Sequence, residues 1–177
     1  MRRDELAALG VQLPVLPTIV LGALPPRPDW AHRLARIGLD VVSTGADEDT
    51  VESLASARAA APHLAVKVRA RDAGAFDGHR GVLVETDGPV PSGLYRLGPD
   101  EDLLRAVSGD DPEVEDPREV ARAVLLSARA GIPSALWVAI TPGLDSLPVA
   151  TVEEKLAVLV QGARQARLYL AKEQFEI

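Results

Sequence analysis

The stretch Thr18-Ile-Val-Leu-Gly-Ala23 is a short apolar run bounded by prolines. Because it shows no alternation of apolar and polar residues, it is typical of a strand buried on both faces. Downstream, Asp29 offers a helix N-cap, apolar residues recur at helical spacing over Trp30–Ile37, and Gly38 supplies a stop signal. The stretch therefore predicts one strand followed by one helix, the repeating unit of an α/β protein.

The same strand-then-helix unit recurs along the rest of the chain. Further apolar strands are predicted at Asp40–Thr44, Leu64–Val68, Gly81–Glu85, Leu94–Leu97 and Ala135–Ile140. Helices are predicted at Asp49–Ala61, at Asp116–Ala130 and from Thr151 onward, with a helical turn at Asp100–Val107. Strands that are apolar throughout and that alternate with helices indicate a parallel sheet covered by helices.

The chain is short for a closed barrel. An eight-stranded (β/α) barrel rarely fits under about 200 residues, and this chain has 177. We therefore predict a single domain over residues 1–177, an α/β fold that is a compact or incomplete (β/α) TIM-type barrel of about six parallel strands with outer helices. Because an open edge strand must be covered, we expect a homo-oligomer or a hetero-complex to complete the barrel.

Composition excludes several classes of function. The net charge of −7 disfavours nucleic acid as a partner, because a phosphate-binding surface is basic. The absence of cysteine excludes disulfides, thiolate zinc ligands and a cysteine nucleophile. No apolar run approaches the roughly 20 residues of a membrane helix, and the N-terminus lacks a signal-peptide pattern. We therefore predict a cytoplasmic protein with neither nucleic-acid nor membrane partners.

Three segments carry a family resemblance, in order along the chain. They are Leu16-Pro-Thr-Ile-Val-Leu-Gly-Ala-Leu-Pro25, Gly38-Leu-Asp-Val-Val-Ser-Thr-Gly-Ala46, and Asp116-Pro-Arg-Glu-Val-Ala121 followed by Leu136-Trp-Val138, Gly143-Leu144 and a helix with Lys155-Leu and Ala166-Arg167. They resemble the opening strand and turn, the second strand, and the closing helix, strand, loop and helix of the catalytic barrel of cobalamin-independent methionine synthase. The resemblance implies a TIM-type barrel from a methyltransferase family that uses zinc to activate homocysteine.

The departures from that family fall in its active site. Pro142 stands at the position of the loop cysteine, and the family's His-x-Cys motif has no counterpart. Ala46 replaces a glutamate that helps to hold the amino acid substrate, and Ala23 replaces a serine. Glu85 aligns loosely with the family's zinc glutamate, but one carboxylate cannot hold catalytic zinc alone. The resemblance therefore implies a pseudoenzyme or a repurposed pocket, and we predict no metal and no cofactor.

A ligand in a (β/α) barrel lies at the carboxyl ends of the strands. The candidate ligand-binding residues there are Gly22, Ala23, Thr44, Asp47, Glu85, Thr141 and Asp145, and Arg69 and Arg71 meet the same criterion. Glu85 and Asp87 are the candidate catalytic residues, since side chains two residues apart on a strand point the same way. Such a pair could share a proton or bind a cation.

Each candidate also has a purely structural interpretation. Asp87-Gly88-Pro89 has the composition of a turn, and Asp47-Glu48-Asp49 can cap the helix that follows. The loop from Thr141 to Asp145 can be a structural turn. The histidines are expected on the surface and without a ligand role, at positions 32, 63 and 79.

Two functions are compatible with this pattern. The first is a non-catalytic member of the family that binds a small-molecule ligand or a protein partner. The alternative is a metal-independent enzyme in which Glu85 and Asp87 act as acid and base in the old pocket. A residual methyltransferase that activates its thiol without zinc is a third interpretation, although no residue suits that task as a base.

Overall fold

The apolar runs of the sequence form one parallel sheet. The computed structural model describes residues 6–9, 11–27, 29–44, 49–97, 102–131, 133 and 135–175. Within these ranges the strands are β1 Thr18–Val20, β2 Val41–Ser43, β3 Ala65–Arg69, β4 Val82–Glu85, β5 Tyr95–Arg96, β6 Asp102–Val107 and β7 Leu136–Ile140. The helices that cover them are α1 Trp30–Ile37, α2 Val51–Ala60, α3 Pro117–Ala130 and α4 Val149–Phe175. Short 3-10 helices lie at Ala73–Phe76 and Leu144–Ser146.

The strand order explains the shape of the sheet. The order is β5-β4-β3-β2-β1-β7-β6 and every pair is parallel. Arg96 and Asp102 therefore lie on opposite edges, yet the chain between them spans at most about 22 Å. The edges of a flat sheet of seven strands would lie about 29 Å apart. The sheet consequently curls into a half-barrel with the helices outside, which confirms the predicted incomplete TIM-type barrel.

Side chains alternate between two separate cores. Those on the outer, helix-covered face of the sheet include Val42, Val66, Val68, Val84 and Val138. Those on the inner, concave face include Ile19, Val41, Leu83, Trp137 and Ala139, with Leu6 and Val11 packed against them. Because both faces are buried, the strands appear in the sequence as near-continuous apolar runs. The concave face is the surface on which a barrel ligand would lie.

Several predicted helix ends are confirmed. Gly38 ends α1 in the left-handed conformation, with φ of 84°, which is a backbone region that favours glycine. Asp116 caps α3 by accepting a hydrogen bond from the amide of Arg118 at 2.8 Å, and Pro117 occupies the first turn. The start of α2 differs from the prediction: its cap is Thr50, which forms a reciprocal capping box with Ser53, whereas Asp47-Glu48-Asp49 was the predicted cap.

Other predicted elements are wrong. Asp102–Val107 is a strand paired with β7, whereas a helical turn was predicted at Asp100–Val107; residues 98–101 lie outside the described residues. Leucine, arginine and alanine favour helices, but pairing with a neighbouring strand overrides that preference. Helix α4 begins at Val149 and not at Thr151.

Asp29 precedes α1 but does not cap it through its side chain. Its carboxylate accepts hydrogen bonds from Arg27 and Arg33, with Arg33 Nε at 2.7 Å. These bonds, that of Arg27 first, lower the pKa of Asp29 to about 2. Both arginines also bind Glu153 of α4, so the network connects α1 to α4. Among the described residues, no helix combines the length and apolarity needed to cross a membrane.

Candidate functional site

A buried lysine lies in the middle of β3. Lys67 is only 5% exposed, and its neighbours Val66 and Val68 pack into the outer core. Because strand side chains alternate, Lys67 and Arg69 lie on the concave face. A buried ammonium group is strongly destabilising unless a counter-charge and hydrogen bonds compensate it. The groups that compensate the charge of Lys67 therefore define the site.

Glu85, at the end of β4, supplies that counter-charge. One carboxylate oxygen lies 2.5 Å from Lys67 Nζ, and the other accepts a hydrogen bond from Arg69 Nη2 at 2.8 Å. The register of the sheet brings these groups together, since Arg69 is directly opposite Glu85. We call Lys67, Arg69 and Glu85 the Lys67 cluster. Within it, Lys67 and Arg69 both bind the carboxylate of Glu85.

The protonation of Glu85 follows from this environment. Burial raises the pKa of its carboxyl group, but hydrogen bonds and charge attraction from Lys67 and Arg69 outweigh burial and hold the pKa below its usual range. Glu85 is therefore ionised at neutral pH. It acts as a fixed counter-charge, because a general acid or base works best with a pKa near the operating pH.

A third cation lies on the same concave face. Arg105 of β6 is opposite Ala139 of β7, which belongs to the inner core. Arg105 is exposed, and within the described part of the chain no hydrogen bond or ion pair holds it. The described strands thus place Lys67, Arg69 and Arg105 on the concave face, although the whole chain has a net charge of −7. The exposed guanidinium of Arg105, beside no counter-charge in the described residues, favours an anion.

Asp87 forms no ion pair with the Lys67 cluster among the described residues. It is exposed and follows the end of β4, and the structure joins Glu85 to cations and not to Asp87. Arg71 is likewise exposed beyond β3, where its carbonyl oxygen accepts from Thr86 Oγ1 at 3.4 Å. Glu85 and Asp87, the acid–base pair predicted from their spacing, therefore lie in different surroundings.

Gly22 and Thr141 hold loops together. A Cβ atom at Gly22 would lie 2.8 Å from Pro142 Cα, which is too close for any side chain. Thr141 Oγ1 accepts a hydrogen bond from the amide of Gly109 at 2.7 Å. These contacts pack the loops after β1, β6 and β7 against one another, and glycine is required by the close approach of backbones.

The remaining candidates are dispersed. Ala23 is half-buried and Asp145 is exposed in the Leu144–Ser146 3-10 helix. The amide of Thr44 donates to the carbonyl of Lys67 at 3.3 Å, and its buried hydroxyl has no hydrogen-bond partner among the described residues. Asp47 lies outside the described residues. Asp49 does not cap α2; its carboxylate accepts from the Arg69 amide at 2.7 Å and from Ser53 Oγ at 2.9 Å.

Sequence reasoning missed Lys67 as a site residue, and Arg105 as well. A signal for Lys67 existed in Val66-Lys-Val-Arg69, where charged residues alternate with valines inside a strand. That period of two places both cations on one face. The sequence gives no such signal for Arg105. Because its segment is predicted to be helical, the face of the sheet on which Arg105 lies cannot be derived from the sequence.

The residues present do not fit the zinc ion that the family resemblance implies. Glu85, the candidate ligand, already binds two cations, and a metal cation there would be repelled by them. The chain has no cysteine. In the described ranges, no three His, Asp or Glu side chains are grouped to hold a metal.

Comparison with known proteins adds no family assignment, so the resemblance to methionine synthase rests on the three segments quoted above. No family model matches the chain, and no curated protein matches it either.

Proposed function

We propose that this chain is a non-catalytic binding protein, built on a degenerate methionine-synthase-like barrel, that takes a small polar anion on its concave face. The observation that carries the proposal is the buried Lys67, which is only 5% exposed and shares its one carboxylate with Arg69. Together with this buried cation, the exposed guanidinium of Arg105, which has no bond in the described residues, makes the concave face suited to a carboxylate or phosphate ligand. A cytoplasmic location is part of this proposal.

The ionised state of Glu85 supports a binding function without catalysis. Its two cationic neighbours hold its pKa below the usual range, so it is a weak base and is not protonated for acid catalysis at neutral pH. The family's own chemistry needs ligands that this chain lacks. Binding without turnover is the function that these charges support best.

Isothermal titration calorimetry with succinate and inorganic phosphate tests the proposal. The test variant is Arg105→Gln. Arg105 is exposed and makes no bond in the described residues, so the substitution removes no contact that stabilises the fold. We expect its loss to weaken the binding of the better probe about tenfold, the effect of losing one charge-assisted hydrogen bond. Arg122→Gln, on the outer helix α3, makes the same change in net charge and should leave the affinity unaltered. No binding of either probe at millimolar concentration would overturn the proposal.

The alternative proposal is a metal-independent enzyme that uses Glu85 and Asp87. Its support is that Glu85 lies at a strand end, where its side chain is 37% exposed and accessible to a substrate. If a purified preparation turns over a substrate, Glu85→Gln and Asp87→Asn should each abolish the activity. An activity that survives both changes would rule out this alternative.

A partner that completes the barrel is also proposed. Strands β5 and β6 each pair with one neighbour in the described residues, and Leu103 of β6 is 37% exposed on the concave side. Edge strands of this kind invite pairing with a second chain. Multi-angle light scattering should therefore give a mass of at least two chains for the purified protein or its complex, and a strictly monomeric protein would contradict this proposal.

A further inference from the structure

A cavity lies at the end of the sheet opposite to the Lys67 cluster. Its volume is about 610 Å³, and its wall includes residues just before β2, β3 and β4. Ala65 contributes to this cavity and starts β3, whereas Arg69 of the Lys67 cluster ends it. The two sites are therefore separated by the length of β3, about 13 Å. Clefts of about 300–1,000 Å³ are the size that holds small molecules.

One side of this cavity is apolar. Val11, Leu13, Leu39 and Leu64 contribute to the wall. Leu13 and Leu64 are only partly buried by the rest of the chain, so they present hydrocarbon surface to whatever occupies the cavity. Burying that surface under a ligand would be favourable by about 25 cal/mol per Å².

The rim of the cavity is cationic. Arg58 and Arg80 line it, and Arg80 is exposed with no side-chain hydrogen bond in the described residues. Arg58 Nη2 donates to the carbonyl of Arg80, and Arg58 Nη1 lies 3.4 Å from His79 Nδ1. Because a guanidinium group has five N–H donors, the remaining ones are left for a ligand. Both arginines therefore line the cavity, and neither forms an ion pair with a carboxylate among the described residues.

The one carboxylate among the described lining residues is already satisfied. Asp40 Oδ2 accepts from the amide and hydroxyl of Thr18, both at 2.8 Å, and from Arg167 Nη2 at 2.9 Å. Helix α2 ends beside the cavity, and the C-terminus of a helix carries only about half a negative charge. Two guanidinium charges outweigh it, so the cavity is electropositive.

We propose that this cavity binds a small amphiphilic anion. Its carboxylate-type head lies between Arg58 and Arg80, and its hydrocarbon body packs against Leu13, Leu39 and Leu64. This site is distinct from the polar anion site on the concave face, because it has its own charges, Arg58 and Arg80, and lies at the other end of β3. The cavity discriminates by two features at once, a negative head and an apolar body.

Titration calorimetry with decanoate, kept below its micellar range, tests this assignment. Acetate lacks the apolar body and decylamine reverses the charge, so both should bind at least tenfold more weakly than decanoate. Arg80→Gln should weaken decanoate binding about tenfold, and Arg58→Gln should do the same. The matched control is Arg122→Gln, which should bind like the wild type.

The two sites can be separated by their variants. Arg80→Gln should leave succinate binding unchanged, and Arg105→Gln should leave decanoate binding unchanged. Circular dichroism of Arg58→Gln checks that the fold survives the loss of its bond to the Arg80 carbonyl. The assignment is overturned if decanoate does not bind, if decylamine binds as well as decanoate, or if Arg122→Gln loses as much affinity as Arg80→Gln.

Discussion

Removing the charge of Glu85 should destabilise the fold more than removing the charge of Lys67. In Glu85→Gln the buried Lys67 ammonium, 5% exposed, loses its counter-charge and keeps Arg69 as a like charge nearby. Breaking a fully buried pair in this way costs about 3–5 kcal/mol. Because the Glu85 side chain is 37% exposed, water relieves part of the penalty, and we expect a loss of about 2–3 kcal/mol.

Lys67→Met behaves differently because it removes the buried charge and keeps the bulk of the side chain. Glu85 then still binds Arg69, with 2.8 Å between Glu85 Oε1 and Arg69 Nη2, so we expect a loss of only about 1 kcal/mol. The double variant should also lose about 1 kcal/mol, since no buried cation remains to be compensated. The coupling free energy between Lys67 and Glu85 is therefore about 2–3 kcal/mol.

Urea unfolding of the four proteins measures this coupling. With a slope near 2 kcal/mol per molar urea, Glu85→Gln should lower the unfolding midpoint by about 1–1.5 M. Glu154→Gln is the matched control, because Glu154 is exposed on α4, and it should change the free energy of unfolding by less than about 0.5 kcal/mol. Additive single variants, or a Glu85→Gln protein as stable as the wild type, would refute the buried ion pair.

Three further perturbations follow from contacts elsewhere in the fold. Gly109→Ala should lower the free energy of unfolding by about 3 kcal/mol, because its Cβ would lie 1.9 Å from the Thr141 carbonyl oxygen. Gly93→Ala, whose nearest contact is 3.5 Å, is its control, and equal losses in urea unfolding would contradict the packing argument. Arg167→Ala removes hydrogen bonds to Asp40 and to two backbone carbonyls. We expect the free energy of unfolding to fall by about 2–4 kcal/mol, and a thermal midpoint equal to that of the wild type would contradict this. The pKa of Asp29 is lowered to about 2, below its value in the unfolded chain, so the contribution of Asp29 to stability is present above about pH 4 and disappears as the pH falls toward 2. Asp29→Asn should therefore flatten the fall of the unfolding midpoint between about pH 4 and about pH 2. An unchanged pH profile would contradict this expectation.

The helices and strands that the sequence predicts correctly are those that local sequence patterns determine. Apolar runs such as Ala135–Ile140 predicted parallel strands because burial on both faces leaves no alternation in the sequence. The cap at Asp116 and the stop at Gly38 were predictable because each depends on residues within one turn. The strand at Asp102–Val107 was not, since pairing with β7, a non-local contact, decides its conformation.

The candidate site was predictable only in part for the same reason. The position of Glu85 at a strand end followed from the rule for (β/α) barrels. Its pairing with Lys67 and Arg69 depends on the register between β3 and β4, which the sequence of either strand alone does not specify. The interpretation of Asp49 as a cap failed because Thr50 competes for that role and the Arg69 amide offers another partner.

Locating a bound anion on the concave face tests the proposed function most directly. Crystals soaked in selenate, a tetrahedral dianion whose anomalous scattering marks its position, should show a peak within hydrogen-bond distance of Arg69 or Arg105 and close to Lys67. The same soak of Arg105→Gln crystals should give a weaker peak or none. A concave face without anomalous density in the wild type, or a peak of equal strength in both proteins, would contradict the claim that these charges form an anion site.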